Sequence, residues 1–171
     1  MISSPPKWLR ILPGWLVLGA ATLGPIGTKL PAPGTWGSLA GILYTLVFFR
    51  RLGWEQTLVW TVIASLLAVL LTGEAARRMK KSDPGEVILD EFVVIPLVFL
   101  GWHAGYPGRL PDWAVMAAGF ALFRFFDILK PLGISRLQRW PDGWGIVADD
   151  FVAALAACAT LHVGSWLWTL R

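Results

Sequence analysis

The chain has 171 residues, of which 56% are hydrophobic and 15% are charged, and its formal net charge is +4. Soluble domains are about 45–50% apolar and about 25% charged, so this composition is typical of a membrane protein and argues against a soluble one. The length predicts one domain over residues 1–171. The single cysteine excludes an internal disulfide and a thiolate metal cluster. The basic residues flank hydrophobic runs, which favours anionic headgroups or a phosphorylated substrate over nucleic acid.

The hydrophobic pattern predicts an all-α, polytopic membrane protein with five to six hydrophobic helices, some of them short or re-entrant. A first short helix is predicted near residues 8–23, with a break at Pro13 and Gly14. A Gly/Pro-rich loop follows over residues 24–34. The remaining predicted helices cover residues 35–49, 55–72, 87–100, 113–130 and 147–170. A polar stretch over residues 73–86 separates the predicted helix 55–72 from the predicted helix 87–100.

Alternating helices give the predicted protein two ends that differ in charge. One end collects the segments 24–34, 73–86 and 131–146, and the other collects the Arg50-Arg51 turn, the loop 101–112 and the C-terminus. Because the first end carries more lysine and arginine, the positive-inside rule predicts that it is cytoplasmic. His103 and His162 belong to the opposite end and are therefore not expected to be catalytic.

Five acidic residues lie in otherwise apolar helical segments: Asp90, Glu91, Asp127, Asp149 and Asp150. A charged carboxylate in a lipid-facing segment costs about 2.5–3.5 kcal/mol, so such residues are expected to be functional or paired. All five are predicted near the cytoplasmic ends of their helices, which places them in one cluster. Hard oxygen ligands favour Mg²⁺ over zinc, so the sequence predicts a divalent-cation site there.

Arg124, Asp127 and Lys130 are spaced three residues apart and share one broad helix face. Two interpretations of this spacing are compatible with each other. Arg124 can form an ion pair with Asp127 within the helix. Arg124 and Lys130 can also hold a phosphate group, whose oxygens match the geometry of a guanidinium group.

The segment Pro33-Gly34-Thr35-Trp36-Gly37-Ser38 opens a predicted helix, with Thr35 or Ser38 near the cap. Free backbone N–H groups at such a position bind phosphate readily. The same composition is also typical of an ordinary helix N-terminus. Its predicted place beside the acidic cluster favours the phosphate interpretation.

Four blocks of the chain, in this order, resemble the phosphatidylglycerophosphatase A family: residues 33–39, 90–92, 123–131 and 145–150. The resemblance runs from about residue 24 to residue 155. It implies a Mg²⁺-dependent phosphatase of the bacterial inner membrane, with its active site facing the cytoplasm. Such an enzyme removes the terminal phosphate of phosphatidylglycerophosphate to give phosphatidylglycerol. One departure is Asp142, which replaces a glycine of the family's Gly-Gly-x-Gly turn.

The matching positions define the expected site. The expected catalytic residues are Asp90, Glu91, Asp127, Asp149 and Asp150. The expected metal ligands are Asp90, Glu91, Asp149 and Asp150, and the expected phosphate-binding residues are Thr35, Ser38, Arg124 and Lys130. Lys29 lies outside the matching blocks and is expected to assist them as a further cation. Which acid serves as base or nucleophile stays open, and an aspartyl-phosphate route is an alternative to attack by an activated water.

Other functional classes fit the sequence less well. A small transporter or channel subunit with a buried acidic ion site would also place acids in helices, but it predicts acids spread across the membrane depth. The sequence contains no Cys-x5-Arg motif and no Asp-x-Asp-x-Thr/Val motif, which argues against two other phosphatase classes. The oligomeric state is not predicted by any feature of the chain.

Overall fold

A computed structural model describes residues 7–102 and 111–169, and within these ranges the regular elements are helical. The helices are α1 (Lys7–Ile11), α2 (Gly14–Ala21), α3 (Pro25–Lys29), α4 (Pro33–Tyr44) with a π-helical turn (Thr45–Phe49), α5 (Trp54–Met79), α6 (Leu89–Val98), α7 (Asp112–Leu129), a 3-10 helix (Pro131–Arg139) and α8 (Gly143–Thr169). The prediction of an all-α fold is confirmed for the described residues.

Two helices, α5 and α8, are long and apolar enough to cross a membrane. Each candidate span has 26 residues, which corresponds to about 39 Å at 1.5 Å per residue. Helix α6 has only ten residues, about 15 Å, and is therefore shorter than a hydrocarbon core of about 30 Å. The division of the N-terminal half into short helices agrees with the expectation that some helices are short.

Several predicted boundaries are wrong. The predicted loop 24–34 contains helix α3, which begins at Pro25, a residue suited to the first helical turn. The predicted loop 131–146 contains the 3-10 helix, and α8 begins at Gly143. Helix α5 continues through half of the predicted polar stretch, because Glu74 pairs with Arg77 and Arg78 on the next turn. It ends at Met79, before Lys80 in a left-handed conformation.

Helix α6 lies at the centre of the fold and packs against α4, α5 and α8. Its apolar side chains from Val94 to Val98 are almost fully buried, as expected for a helix surrounded by others. Helix α4 approaches it closely through glycine, since a Cβ atom added at Gly41 would lie 2.5 Å from Ile95. This packing fixes the first turn of α6, with Asp90 and Glu91, against the start of α4.

The loops gather at two ends, as predicted. At one end, Gly73 and Gly143 are close enough that a Cβ on Gly73 would lie 2.7 Å from the Gly143 nitrogen, and Gly27 lies against the backbone of Glu86. We call this the acidic end. At the opposite end, Arg50 lies 3.7 Å from Asp112. His162 Nε2 is there too, 2.7 Å from the Leu100 carbonyl oxygen. His103, which was predicted at this end, lies outside the described residues.

Candidate active site

Five acidic side chains from three helices meet at the acidic end. Asp90 and Glu91 belong to the first turn of α6, where the helix dipole favours negative charge. Asp127 belongs to the last turn of α7, and Asp149 and Asp150 lie on the second turn of α8. Four of the five, all except Glu91, are no more than 9% exposed. Asp150 interacts electrostatically with each of the other four. The structure therefore brings together the acids that the sequence singled out.

Arg124 connects two of these helices. Its Nη1 donates to Asp127 Oδ2 at 2.6 Å and to Glu91 Oε1 at 3.0 Å. Ser38 Oγ lies 3.5 Å from the same nitrogen and itself donates to the Gly34 carbonyl oxygen at 2.9 Å. The ion pair predicted within α7 is present, and the guanidinium group also ties α7 to α6 and lies beside α4.

Lys130 makes the second connection. It follows the last residue of α7 in a left-handed conformation, with φ 45°. This turn directs its Nζ to Asp149 Oδ2, with which it forms a hydrogen-bonded ion pair. Two cations therefore lie among five acids, which leaves the cluster with an excess of carboxylates.

Three buried oxygens of the cluster have no hydrogen-bond partner among the described residues: Asp90 Oδ1, Glu91 Oε2 and Asp149 Oδ1. Buried polar atoms without partners are rare in native proteins and costly, so each requires an explanation. Carboxylate oxygens are the donors that Mg²⁺ prefers. The donor set therefore fits a hard divalent cation.

The side chains do not yet converge as a closed metal site. Among the described residues, no group of three or more acidic, histidine or cysteine side chains is arranged to hold a metal ion. Arg124 and Lys130 each engage carboxylate oxygens of the cluster. Side-chain rotation that releases these oxygens is therefore needed before several carboxylates can share one cation.

The N-terminus of α4 lies directly against Glu91. A Cβ atom on Gly34 would overlap Glu91 Oε1, and one on Gly37 would lie 3.1 Å from Oε2. Glycine is therefore required at position 34 for the carboxylate to reach Arg124. Thr35 is half-buried in the same turn and Lys29 is exposed at the end of α3. Within the described residues, neither makes a side-chain hydrogen bond or ion pair with the acids.

Sequence reasoning missed Asp83, which lies in the predicted polar stretch over residues 73–86. Asp83 is exposed in the segment after α5, yet it interacts electrostatically with Asp90, Glu91 and Asp149. Asp83 also lines a cleft of about 500 Å³ beside the cluster. An acidic turn on the same face as the buried acids was the available signal.

The comparison with known proteins identifies the family. The family described as Phosphatidylglycerophosphatase A matches residues 19–165. A Haemophilus influenzae protein named phosphatidylglycerophosphatase A is 40% identical over 128 residues, which are 74% of this chain and 75% of the relative. An Escherichia coli protein of the same name is 32% identical over 145 residues, 81% of this chain and 77% of that protein.

A third relative carries a different name. A Bacteroides thetaiotaomicron protein, whose name provisionally assigns it phosphatidylinositol-3-phosphatase activity, is 34% identical over 145 residues, 80% of this chain and 85% of that protein. No solved structure matches the chain. The family match covers all four blocks of sequence that supply the cluster and its cations. The chain therefore belongs to the phosphatidylglycerophosphatase A family of lipid phosphatases.

Proposed function

We propose that the protein is a Mg²⁺-dependent phosphatase that hydrolyses phosphatidylglycerophosphate to phosphatidylglycerol and phosphate. The observation that carries this proposal is the set of buried, partnerless carboxylate oxygens beside two cations. Such a site combines ligands for a divalent metal with groups that bind phosphate. Membership of the family supplies the lipid substrate, and the names of two relatives agree with it.

The proposed location is the bacterial inner membrane, with the cluster at the cytoplasmic face. Helices α5 and α8 meet the length and composition that a membrane span requires. Large apolar side chains are exposed along several helices, among them Leu43, Trp60, Leu67 and Ile128, each more than half exposed. An extended exposed apolar surface favours contact with lipid. The lysines and arginines of residues 73–86 and 131–146 support the cytoplasmic orientation.

In this proposal Asp90, Glu91, Asp149 and Asp150 hold Mg²⁺. When bound, the metal neutralises the charge on phosphoryl oxygens and makes a coordinated water more acidic. The unpartnered oxygens of Asp90, Glu91 and Asp149 give three of these residues a free ligand atom. Asp150 joins them through its position among the other four acids.

The cations orient the phosphate. Arg124 and Lys130 each exchange a carboxylate partner for a phosphoryl oxygen, and Asp127 keeps the guanidinium group in place. Ser38 lies beside Arg124, Thr35 lies near it in α4, and Lys29 adds positive charge at the end of α3. A carboxylate of the cluster accepts a proton from the attacking water. As the water oxygen bonds to phosphorus, the bond between phosphorus and the glycerol oxygen breaks, and the protonated carboxyl gives its proton to that oxygen to form the product alcohol.

The test is phosphate release from phosphatidylglycerophosphate in detergent micelles. Purified native protein is expected to release phosphate with Mg²⁺ but not with EDTA, and Asp90→Asn and Asp150→Asn are expected to be inactive. Full activity in EDTA or in either variant contradicts the metal assignment. Release from phosphatidylinositol 3-phosphate alone corrects the substrate. Ion uptake into proteoliposomes without any hydrolysis favours the transporter alternative instead.

A further inference from the structure

A polar cleft of about 500 Å³ lies beside the acidic cluster and is not used by the chemistry described above. It is formed by the end of α5, the segment that follows it, the 3-10 helix and the start of α8. Its charged, amide and indole side chains belong to Arg77, Lys81, Asp83, Gln138, Trp140 and Asp142. The cleft therefore combines two cationic and two acidic side chains with an amide and an indole ring.

The cleft adjoins the acidic cluster. Gly145 and Ile146 line the cleft, and Asp149 follows them by four and three residues on the same helix face. Asp83 lines the cleft as well and interacts electrostatically with Asp149. A molecule whose reacting group occupies the cluster can therefore reach this cleft.

Both cations of the cleft have unused binding capacity. Arg77 is paired with Glu74, but its buried Nε has no hydrogen-bond partner in the part of the chain that the structure describes. Lys81 Nζ lies 2.6 Å from Glu86 Oε1, and its hydrogen bond lowers the pKa of the Glu86 carboxyl. That pair is exposed, with 51% and 36% of the two side chains accessible. Exposed pairs contribute little stability, so Lys81 can exchange Glu86 for another anion.

An apolar groove adjoins the polar cleft. The groove has a volume of about 270 Å³ and lies between α5 and α8, with Leu66, Val69, Val147 and Phe151 among its walls. Trp140 lines both the groove and the cleft. An anionic cleft ligand that also has an apolar chain would contact both surfaces, which favours a lipid over a free phosphate ion.

We propose that the cleft binds the phosphodiester group of the lipid substrate, while the terminal phosphomonoester occupies the acidic cluster. This inference rests on the proposed phosphatase function and extends it. It assigns the two phosphate groups of that substrate to two separate subsites. Lys81 and Arg77 bind the phosphodiester, and the apolar groove holds the start of an acyl chain.

The product phosphatidylglycerol retains the phosphodiester, so it probes the cleft without catalysis. Binding of dihexanoyl phosphatidylglycerol to the detergent-solubilised protein is measured by calorimetry for the native chain, Lys81→Gln, Lys81→Arg and Lys80→Gln. Lys80 is the matched control, since it carries the same charge next to Lys81 and does not line the cleft. We expect about tenfold weaker binding for Lys81→Gln, as for the loss of one charge-assisted hydrogen bond. Lys81→Arg and Lys80→Gln are expected to bind as the native chain does.

Three outcomes overturn the assignment. The native chain and Lys81→Gln bind phosphatidylglycerol equally well, Lys80→Gln loses as much affinity as Lys81→Gln, or the native chain does not bind this lipid. Inorganic phosphate is expected to show no dependence on Lys81, and an equal loss of its binding indicates a general anion effect and also overturns it. Hydrolysis of phosphatidylglycerophosphate by the native chain is measured in parallel. Lys81-dependent binding without hydrolysis refutes the phosphatase and keeps the cleft, whereas hydrolysis with Lys81-independent binding refutes the cleft alone.

Discussion

Two sets of buried acids lie at the same end of the molecule and differ in how fully they are paired. Glu74 is 4% exposed, and both of its oxygens are engaged, one by Arg77 and the other by Arg78 Nε at 2.7 Å. Arg78 in turn donates to the carbonyl oxygens of Leu9 and Leu12, at 3.1 and 3.0 Å, and so holds α1 against α5. Both carboxylate oxygens of Glu74 are therefore satisfied within the protein, and this acid has a structural function.

The acidic cluster is equally buried but incompletely paired. Asp90 and Asp150 form no ion pair within the described residues, and three oxygens of the cluster lack any hydrogen-bond partner. Burial of unpaired charge destabilises a fold, and functional sites commonly retain such a cost. The contrast indicates that pairing, more than burial, separates structural acids from those available to a ligand.

The largest expected effect is on the activity of Asp150→Asn. This change keeps the shape of the side chain but removes a charge that faces four other acids. We expect phosphate release to fall by at least about 10³-fold, equivalent to about 4 kcal/mol of activation free energy. We also expect the apparent unfolding temperature without Mg²⁺ to rise, because buried repulsion is relieved. Near-native activity, or a lower unfolding temperature, contradicts the assignment of Asp150 to the unpaired set.

Glu74→Gln tests the paired set. The substitution leaves Arg77 and Arg78 without their buried counter-charge, so we expect the free energy of unfolding to fall by about 3 kcal/mol. Phosphate release per folded molecule is expected to remain close to native, because Glu74 does not belong to the cluster. Denaturant unfolding in detergent, with activity normalised to the folded fraction, measures both quantities. A loss of specific activity with unchanged stability would make Glu74 part of the active site.

Gly34→Ala tests how α4 shapes the cluster. The added Cβ would overlap Glu91 Oε1 and force the carboxylate away from Arg124. We expect activity to fall about 30-fold, or about 2 kcal/mol. Gly19→Ala is the matched control, since a Cβ there meets nothing within 4 Å. If the two variants release phosphate equally fast, the close approach of Gly34 to Glu91 does not contribute to activity.

The smallest effect is expected at the opposite end of the molecule. Arg50 and Asp112 lie 3.7 Å apart, and 63% of each side chain is exposed. Asp112→Asn is therefore expected to change the free energy of unfolding by less than about 0.5 kcal/mol and to leave activity unchanged. Thermal unfolding with a parallel activity assay checks this. If Asp112→Asn lowers the free energy of unfolding as much as Glu74→Gln does, buried and exposed ion pairs contribute equally to stability and the comparison fails.

The cluster was predictable because charges in apolar helices are conspicuous. Asp90, Asp127 and Asp149 each interrupt a hydrophobic run, and the alternation of helices placed them at one end. The three-residue spacing of Arg124 and Asp127 also allowed their ion pair to be predicted. The partners of Arg124 on α6 and of Lys130 on α8 were not predictable, because those contacts join residues 33 and 19 positions apart.

The errors arose where polar residues were interpreted as loop. Glu74, Arg77 and Arg78 have the i, i+3 and i, i+4 spacing of a helix, but their charge suggested a solvated segment. The structure buries Glu74 instead and extends α5 to Met79. Asp83 was overlooked since an acid before proline is typical of a turn, and only the tertiary structure places it beside the cluster. The Mg²⁺ requirement and the roles of individual acids stay predictions.

The most direct test of the central claim is a Mg²⁺ titration followed by unfolding temperature. Unfolding is followed by heating in detergent at increasing Mg²⁺ concentration for the native chain, Asp150→Asn and Glu74→Gln. The reference is a sodium salt at equal ionic strength, and all buffers are free of Ca²⁺. Because a ligand that binds only the folded state stabilises it, Mg²⁺ is expected to raise the unfolding temperature of the native chain and of Glu74→Gln by the same amount. Asp150→Asn is expected to show no rise. An equal rise in Asp150→Asn, or none in the native chain, contradicts a Mg²⁺ site in the acidic cluster.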